Sequence, residues 1–364
     1  MPVNRARRIT LRTSTVALTL TLGALVLTEP AHAVEPTGNG QGASSAKQQG
    51  GRGKQGIYAA ARIRYSGAVT KDGSTGNVTS SDVNWTPPPC WYAPYLGAKD
   101  FKKEMSKHIE GQLNTPGMGG TAGAAIGETK RHYEDEYSWP GKPGYKDYNV
   151  ENDGKGMFWA GVENPNEPDY LKRSSCTDLP FWVENGDAPP PQYEEAITPK
   201  ILAALAYQHI QLPDTKVTLA PEANTKVNLP TWAWLDKAVF DEVQATAALN
   251  VPGFNIQATT TAKPVSLKLE PGTKDAETYP ASGECTINAD DSIGEPYAKG
   301  KSDETPPCGV KYLRSSGDGT YKLRATITWE INWTGTGGAG GDLPNGTFGN
   351  DQAVTVQEIQ AVNR

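Results

Sequence analysis

Tyr321-Lys322-Leu323-Arg324-Ala325-Thr326-Ile327-Thr328-Trp329-Glu330-Ile331-Asn332-Trp333-Thr334 alternates apolar and polar residues without a break. Successive side chains of a strand point to opposite faces. Tyr321, Leu323, Ala325, Ile327, Trp329, Ile331 and Trp333 then form a dry face, and the residues between them form a wet one. At ~3.3 Å per residue the stretch spans roughly 40 Å. That length predicts a bend, or a crossing from one sheet to another.

On its C-terminal side, Gly335 to Gly349 is Gly-rich and predicts a loop, and Ala353-Val354-Thr355-Val356-Gln357 predicts a terminal strand. Upstream, Phe254, Ile256 and Ala258 alternate, and Val265, Leu267 and Leu269 alternate again beyond Pro264. In Val227-Asn228-Leu229-Pro230-Thr231-Trp232-Ala233-Trp234-Leu235-Asp236 the two tryptophans share one face, while Val227, Leu229, Ala233 and Leu235 share the other. A strand apolar on both faces lies between two layers. Core packing is the expectation for both indoles. An exposed stacking platform is the alternative, because the indole N–H wants a partner. Pro230 cannot donate to a ladder and marks an edge, bulge or bend. Short strands separated by Gly, Pro, Asp and Asn clusters predict a β-sandwich over residues 213–364. Gly253 to Gly272, and Tyr312-Leu313-Arg314-Ser315-Ser316-Gly317-Asp318-Gly319-Thr320-Tyr321 leading into the long strand, resemble an immunoglobulin-like or PKD-type domain. The PKD hallmark Trp-Asp-x-Gly-Asp-Gly is replaced by Leu267-Lys268-Leu269-Glu270-Pro271-Gly272, so this likeness implies a fold and no ligand.

The chain of 364 residues opens on an export signal. Arg5, Arg7, Arg8 and Arg12 precede the apolar Val16 to Leu27, and Ala31-His32-Ala33 is a small-residue cleavage site. The apolar run is too short for a good transmembrane span, and no later segment could anchor the mature chain. Removing residues 1–33, with four arginines and Glu29, takes the formal charge from −6 to −9. An acidic exported chain lacks the basic stripe a nucleic-acid binder uses. Residues 34–56 are Gly, Ser, Gln and Lys with almost no apolar side chain, and read as a tether.

Cys90, Cys176, Cys285 and Cys308 all follow the signal. An even count in an oxidising compartment predicts two disulfides. Of three possible pairings, Cys90–Cys176 and Cys285–Cys308 put one bridge in each domain. No close cysteine pair suits zinc.

Residues 57–197 predict an α+β aromatic-rich domain, and 198–212 a connecting helix. Ile57 to Tyr65 begins the folded part as a strand. Phe101, Met105 and Ile109 make one face of a helix over Ala98 to Leu113, with His108 in solvent. Thr115 to Thr129 is Gly/Ala-rich and predicts a loop; no Gly-Lys-Ser/Thr makes it a phosphate site. His132, Glu134, Asp135 and Glu136 form the densest polar cluster, read as surface charge, with acid/base or cation chemistry as the alternative. Asp147 to Gly154 is rich in oxygen ligands, but an EF-hand fails at Ala160. Gly156 to Val162 and Leu179 to Val183 predict strands. His209 ends the connecting helix, where it suits a dipole or core role.

Pro88-Pro89-Cys90-Trp91-Tyr92, Gly154-Lys155-Gly156-Met157-Phe158-Trp159, Pro180-Phe181-Trp182-Val183, Val227 to Trp234 and Ala325-Thr326-Ile327-Thr328-Trp329 spread over most of the mature chain. Together they resemble a group of secreted proteins of actinobacteria, Streptomyces above all. The resemblance implies export to the envelope or medium and carries over no catalytic residue. Two functions compete. One is a non-enzymatic extracellular or envelope protein that binds a wall polysaccharide or a partner protein through Trp91, Tyr92, Trp159 and Trp182, without cofactor. The other is a secreted hydrolase with facing carboxyls, drawn from Glu134, Glu136 or Asp169. Neither Gly-x-Ser-x-Gly nor His-Glu-x-x-His is present for serine or zinc hydrolysis.

Overall fold

A computed structural model describes residues 63–67, 75–82, 84–117, 120–222, 224–235 and 242–359. The signal at 1–33, the tether at 34–56, residues 57–62 of the first expected strand and Asp236 lie outside the described residues.

The alternating stretch is the strand Tyr321–Gly335, and its residues from Leu323 to Trp333 bury every second side chain. It is the centre of an eight-stranded sheet. The order runs Arg64–Gly67, Val243–Val251, Phe254–Glu270, Tyr321–Gly335, Gly340–Gln357, Thr79–Ser80. Glu284–Thr286 adds to the 254–270 strand, and Asn224–Lys226 pairs parallel with the last strand. The long strand stays in this one sheet rather than crossing to another. Its ladder with the last strand shifts register between Trp329 and Ile331, a bulge that turns the strand locally.

Two expectations next to it are corrected. The Gly-rich stretch is no loop: a tight turn at Thr336–Gly338 leads straight into the strand Gly340–Gln357. Glycines serve there because the chain comes close to its neighbours. A Cβ at Gly349 would sit 2.6 Å from the Ala325 carbonyl oxygen. The two short upstream strands are one strand, Phe254–Glu270, joined across a register shift between Pro264 and Ser266. The extra residue moves the buried set from Phe254, Ala258 and Ala262 to Leu267 and Leu269. Pro264 is tolerated at that irregularity because a bulge breaks the ladder anyway.

A second antiparallel sheet orders Ala276–Tyr279, Gly309–Tyr312, Pro230–Leu235 and Ile293–Gly294, with Thr218–Ala220 also on the 230–235 strand. Trp232 is buried and Trp234 half-buried, so the core reading of that stretch holds. Cys285 lies on the large sheet, and Cys308 immediately precedes the Gly309–Tyr312 strand of the second. Their disulfide, Cα–Cα 5.6 Å, staples the two sheets together. Tyr312 stacks on Tyr321 across the same interface at 5.1 Å. The chain is thus mainly β, with antiparallel sheets packed as in a sandwich.

The helix Pro199–Tyr207 is capped by Thr198, whose Oγ1 accepts from Ile201 N at 3.3 Å. It does not separate two cores. It lies on the large sheet, where buried Thr260 donates to the Ala203 carbonyl at 2.9 Å. One buried cluster takes in Trp91, Trp159 and Phe181 before the helix and Phe254, Leu267 and Trp329 after it. Trp159 meets Phe254 edge-on at 5.3 Å. The boundary expected at 198–212 therefore runs through a shared core.

A smaller three-stranded sheet, Cys90–Leu96, Gly156–Glu163 and Phe181–Glu184, carries the remaining helices. The helix Ala98–Leu113 buries Phe101 and Ile109 as its spacing predicts. The segment expected as a loop is largely helical over Gly120–Glu134; its alanines supply the helix propensity. Phe101, Tyr133, Tyr148 and Phe158 form a second, mainly aromatic core, with Phe101 stacked on Phe158 at 3.8 Å.

Candidate functional site

The four aromatic residues expected at a binding surface do not make one. Trp91 is 5 % exposed, and Tyr92 and Trp159 are buried as deeply. The strand Cys90–Leu96 is buried on both faces, so neighbours of opposite parity both end inside. The Tyr92 hydroxyl donates to Asp178 Oδ2 at 3.0 Å, and Lys142 pairs with the other oxygen of that carboxylate. Burial pushes the Tyr92 phenol up and keeps it protonated, while the Asp178 backbone N–H opposes the shift and its carboxylate adds to it. Trp182 alone of the four is half-buried. Its indole packs close to Gly156, where a Cβ would come within 2.7 Å of the ring. These side chains are packing elements, and the disulfide Cys90–Cys176, Cα–Cα 5.9 Å, ties their strand to the loop beyond it.

The polar clusters singled out by sequence are likewise occupied. Glu134 accepts from Tyr148 OH at 3.1 Å and pairs with Lys130 at 2.8 Å. Asp169 caps the short helix Tyr170–Arg173, accepting from Leu171 N at 2.9 Å. Glu136 is exposed at φ 59°. His132 is buried, with Nδ1 2.8 Å from the Tyr137 carbonyl and its ring stacked on Trp139 at 4.2 Å. In the oxygen-rich turn, Lys102 holds Asp147 at 2.6 Å and Lys99 holds Asp153 at 3.1 Å. Among the described residues no group of three or more His, Cys, Asp or Glu is gathered to hold a metal.

Among the described residues, a polar cleft of about 490 Å³ is lined by Asp214, Thr215, Lys216, Glu222, Asn350, Asp351, Gln352 and Ala353. That volume lies within the range of small-ligand sites. The fold explains how residues more than a hundred positions apart meet. The last strand lies beside the Tyr321–Gly335 strand, with Leu323 opposite Gln352 and Arg324 opposite Asp351. Its end pairs with Asn224–Lys226, Thr355 against Asn224, and that pairing brings the 214–222 segment alongside. Arg324 bonds Asp351 at 3.3 Å at one margin.

Two polar atoms in this wall stand out. Thr215 is 0 % exposed, and its Oγ1 has no hydrogen-bond partner among the described residues. Gln352 Oε1 is also buried without one. A buried polar atom left unpaired costs about 1–3 kcal/mol, so native structures rarely leave one without a reason. The lining is rich in acceptors. It holds the carboxylates of Asp214, Glu222 and Asp351, the ammonium of Lys216 and the amides of Asn350 and Gln352, which can both donate and accept.

No protein-family model, curated protein or solved structure matches the chain. No helix among the described residues is long and apolar enough to cross a membrane. The two disulfides fit an oxidising, extracellular environment.

Proposed function

We propose that this is an exported actinobacterial protein that binds a cell-wall polysaccharide or an envelope partner without catalysis, and that the cleft between 214–222 and 350–353 is where it binds. The observation that carries the reading is the polar cleft of about 490 Å³ that Lys216, Glu222, Asn350 and Asp351 help to line. Long antiparallel strands and an inter-sheet disulfide hold them on a rigid frame, which favours recognition by preorganised hydrogen bonds. The export signal in residues 1–33 and the tether at 34–56 support placement at or beyond the envelope. The two-sheet packing and the Cys285–Cys308 staple support an immunoglobulin-like origin for the second half. The hydrolase alternative loses ground because Glu134 and Asp169 are committed to structural partners.

Co-sedimentation of the mature protein with an actinobacterial envelope tests this. Saturable pelleting that Gln352→Leu weakens severalfold is the expected result. No pelleting at micromolar protein, or pelleting indifferent to the cleft, would overturn it.

A further inference from the structure

We infer that Asn185 is a site of spontaneous deamidation, and that its conversion loosens the contact between the small sheet and the large one. The sequence holds three Asn-Gly pairs, at 39–40, 185–186 and 345–346. The first lies outside the described residues, and the other two sit in opposite settings. The reaction begins when the backbone nitrogen after an asparagine attacks its Cγ. A bond forms from that nitrogen to Cγ, the side-chain amide C–N bond breaks, and ammonia leaves. Water then opens the cyclic imide at either carbonyl, giving aspartate or isoaspartate. The attacking nitrogen must be unblocked and free to swing towards Cγ. Gly186 meets both needs. It is an exposed turn residue without a Cβ to hinder approach, and its N–H makes no hydrogen bond among the described residues. Gly346 meets neither. It is buried in the last strand, paired with Trp329 on one side and Ser80 on the other. A strand held along both edges keeps its backbone extended.

The side chain of Asn185 touches both sheets. Its Nδ2 donates to the Gly154 carbonyl at 3.0 Å, just before the strand Gly156–Glu163 of the small sheet. Its carboxamide also fills the space that a Cβ on Gly253 would need, in the turn between the large-sheet strands Val243–Val251 and Phe254–Glu270. A carboxylate at this place has no N–H for the Gly154 carbonyl. It also adds a negative charge beside the exposed Glu184 and Asp187. Isoaspartate further lengthens the main chain by one carbon.

The experiment is ageing of the full mature protein in buffers of rising pH, followed by peptide mass spectrometry that tells amide from acid at each asparagine. In the folded protein the Asn185 peptide is expected to convert about tenfold faster than the Asn345 peptide, since the last strand must open locally before Asn345 can react. Both rates should rise with pH, because attack needs the backbone nitrogen to lose its proton. In denaturing urea the two rates should come together. Equal rates in the folded protein, or a faster Asn345, would overturn the site. The consequence is read from the urea midpoint. Asn185→Asp should lower it, and aged protein converted at Asn185 should match that variant. Asn185→Gln keeps an amide but closes its larger ring far more slowly, so its midpoint should hold with age. An aged protein with the midpoint of fresh material would sink the loosening, as would an Asn185→Gln protein that declines as fast as the parent.

Discussion

Glu136 adopts φ 59° on the exposed end of the Gly120–Glu134 helix. A left-handed conformation costs an L-residue roughly 1–2 kcal/mol, and glycine escapes most of it. Glu136→Gly is therefore expected to raise stability by up to about 1 kcal/mol, read as a higher urea midpoint. A drop in stability would mean that the carboxylate does more than its exposure suggests. Nearby, burial holds His132 below its ordinary value of 6.5, and Lys142 adds to the effect. A histidine that resists protonation when folded gives stability that is full above the unfolded value and declines as pH falls through 6.5 towards the folded one. Unfolding free energy should thus fall between pH 7 and pH 5. His132→Gln should flatten that slope; an unchanged slope would assign it to other groups.

At the scale of elements, the two disulfides close loops of different length. Cys285 and Cys308 are 23 residues apart and Cys90 and Cys176 are 86 apart. By loop-closure entropy the bridges restrict the unfolded chain by about 3 and about 5 kcal/mol. Replacing Cys90 and Cys176 with serine should lower the denaturation midpoint more than replacing Cys285 and Cys308. The reverse order would mean that stapling the two sheets outweighs loop length. In the long strand, Trp329 is fully buried, and Trp329→Ala should cost about 3–5 kcal/mol. Circular dichroism melts would show it as loss of most of the cooperative transition. That strand was legible in the sequence because its period is unbroken over Tyr321 to Trp333. Its partner was not, because Gly340, Gly341, Gly346 and Gly349 read as loop until close approach explains them: a Cβ at Gly346 would lie 2.0 Å from Val78 Cγ2. The parity change between Ala258 and Leu267 does hint at the bulge, but only the ladder shows that one strand continues through it. Trp91, Tyr92 and Trp159 were legible as important and misread as surface, because composition counts rings without saying which layer covers them. The cleft had no signature at all. Asp214 and Gln352 come together only through the parallel pairing of Thr355 with Asn224.

Across the whole molecule the shared core decides how the chain unfolds. Trp159, Phe254 and the helix Pro199–Tyr207 tie the first half to the large sheet. Urea unfolding should then show one transition, with tryptophan fluorescence and far-ultraviolet circular dichroism coinciding. Two separated transitions would restore an independent domain before residue 198. The strand Gly340–Gln357 is laid between the Tyr321–Gly335 strand and two short segments from much earlier, Thr79–Ser80 and Asn224–Lys226. A polypeptide emerging from its N-terminus must hold those segments unpaired until nearly its last residues arrive. The assembly is thus fastened from its tail, and the same strand, between its two fastening points, contributes Asn350, Asp351, Gln352 and Ala353 to the wall of the cleft. A chain cut short before that strand would lack one wall of the cleft.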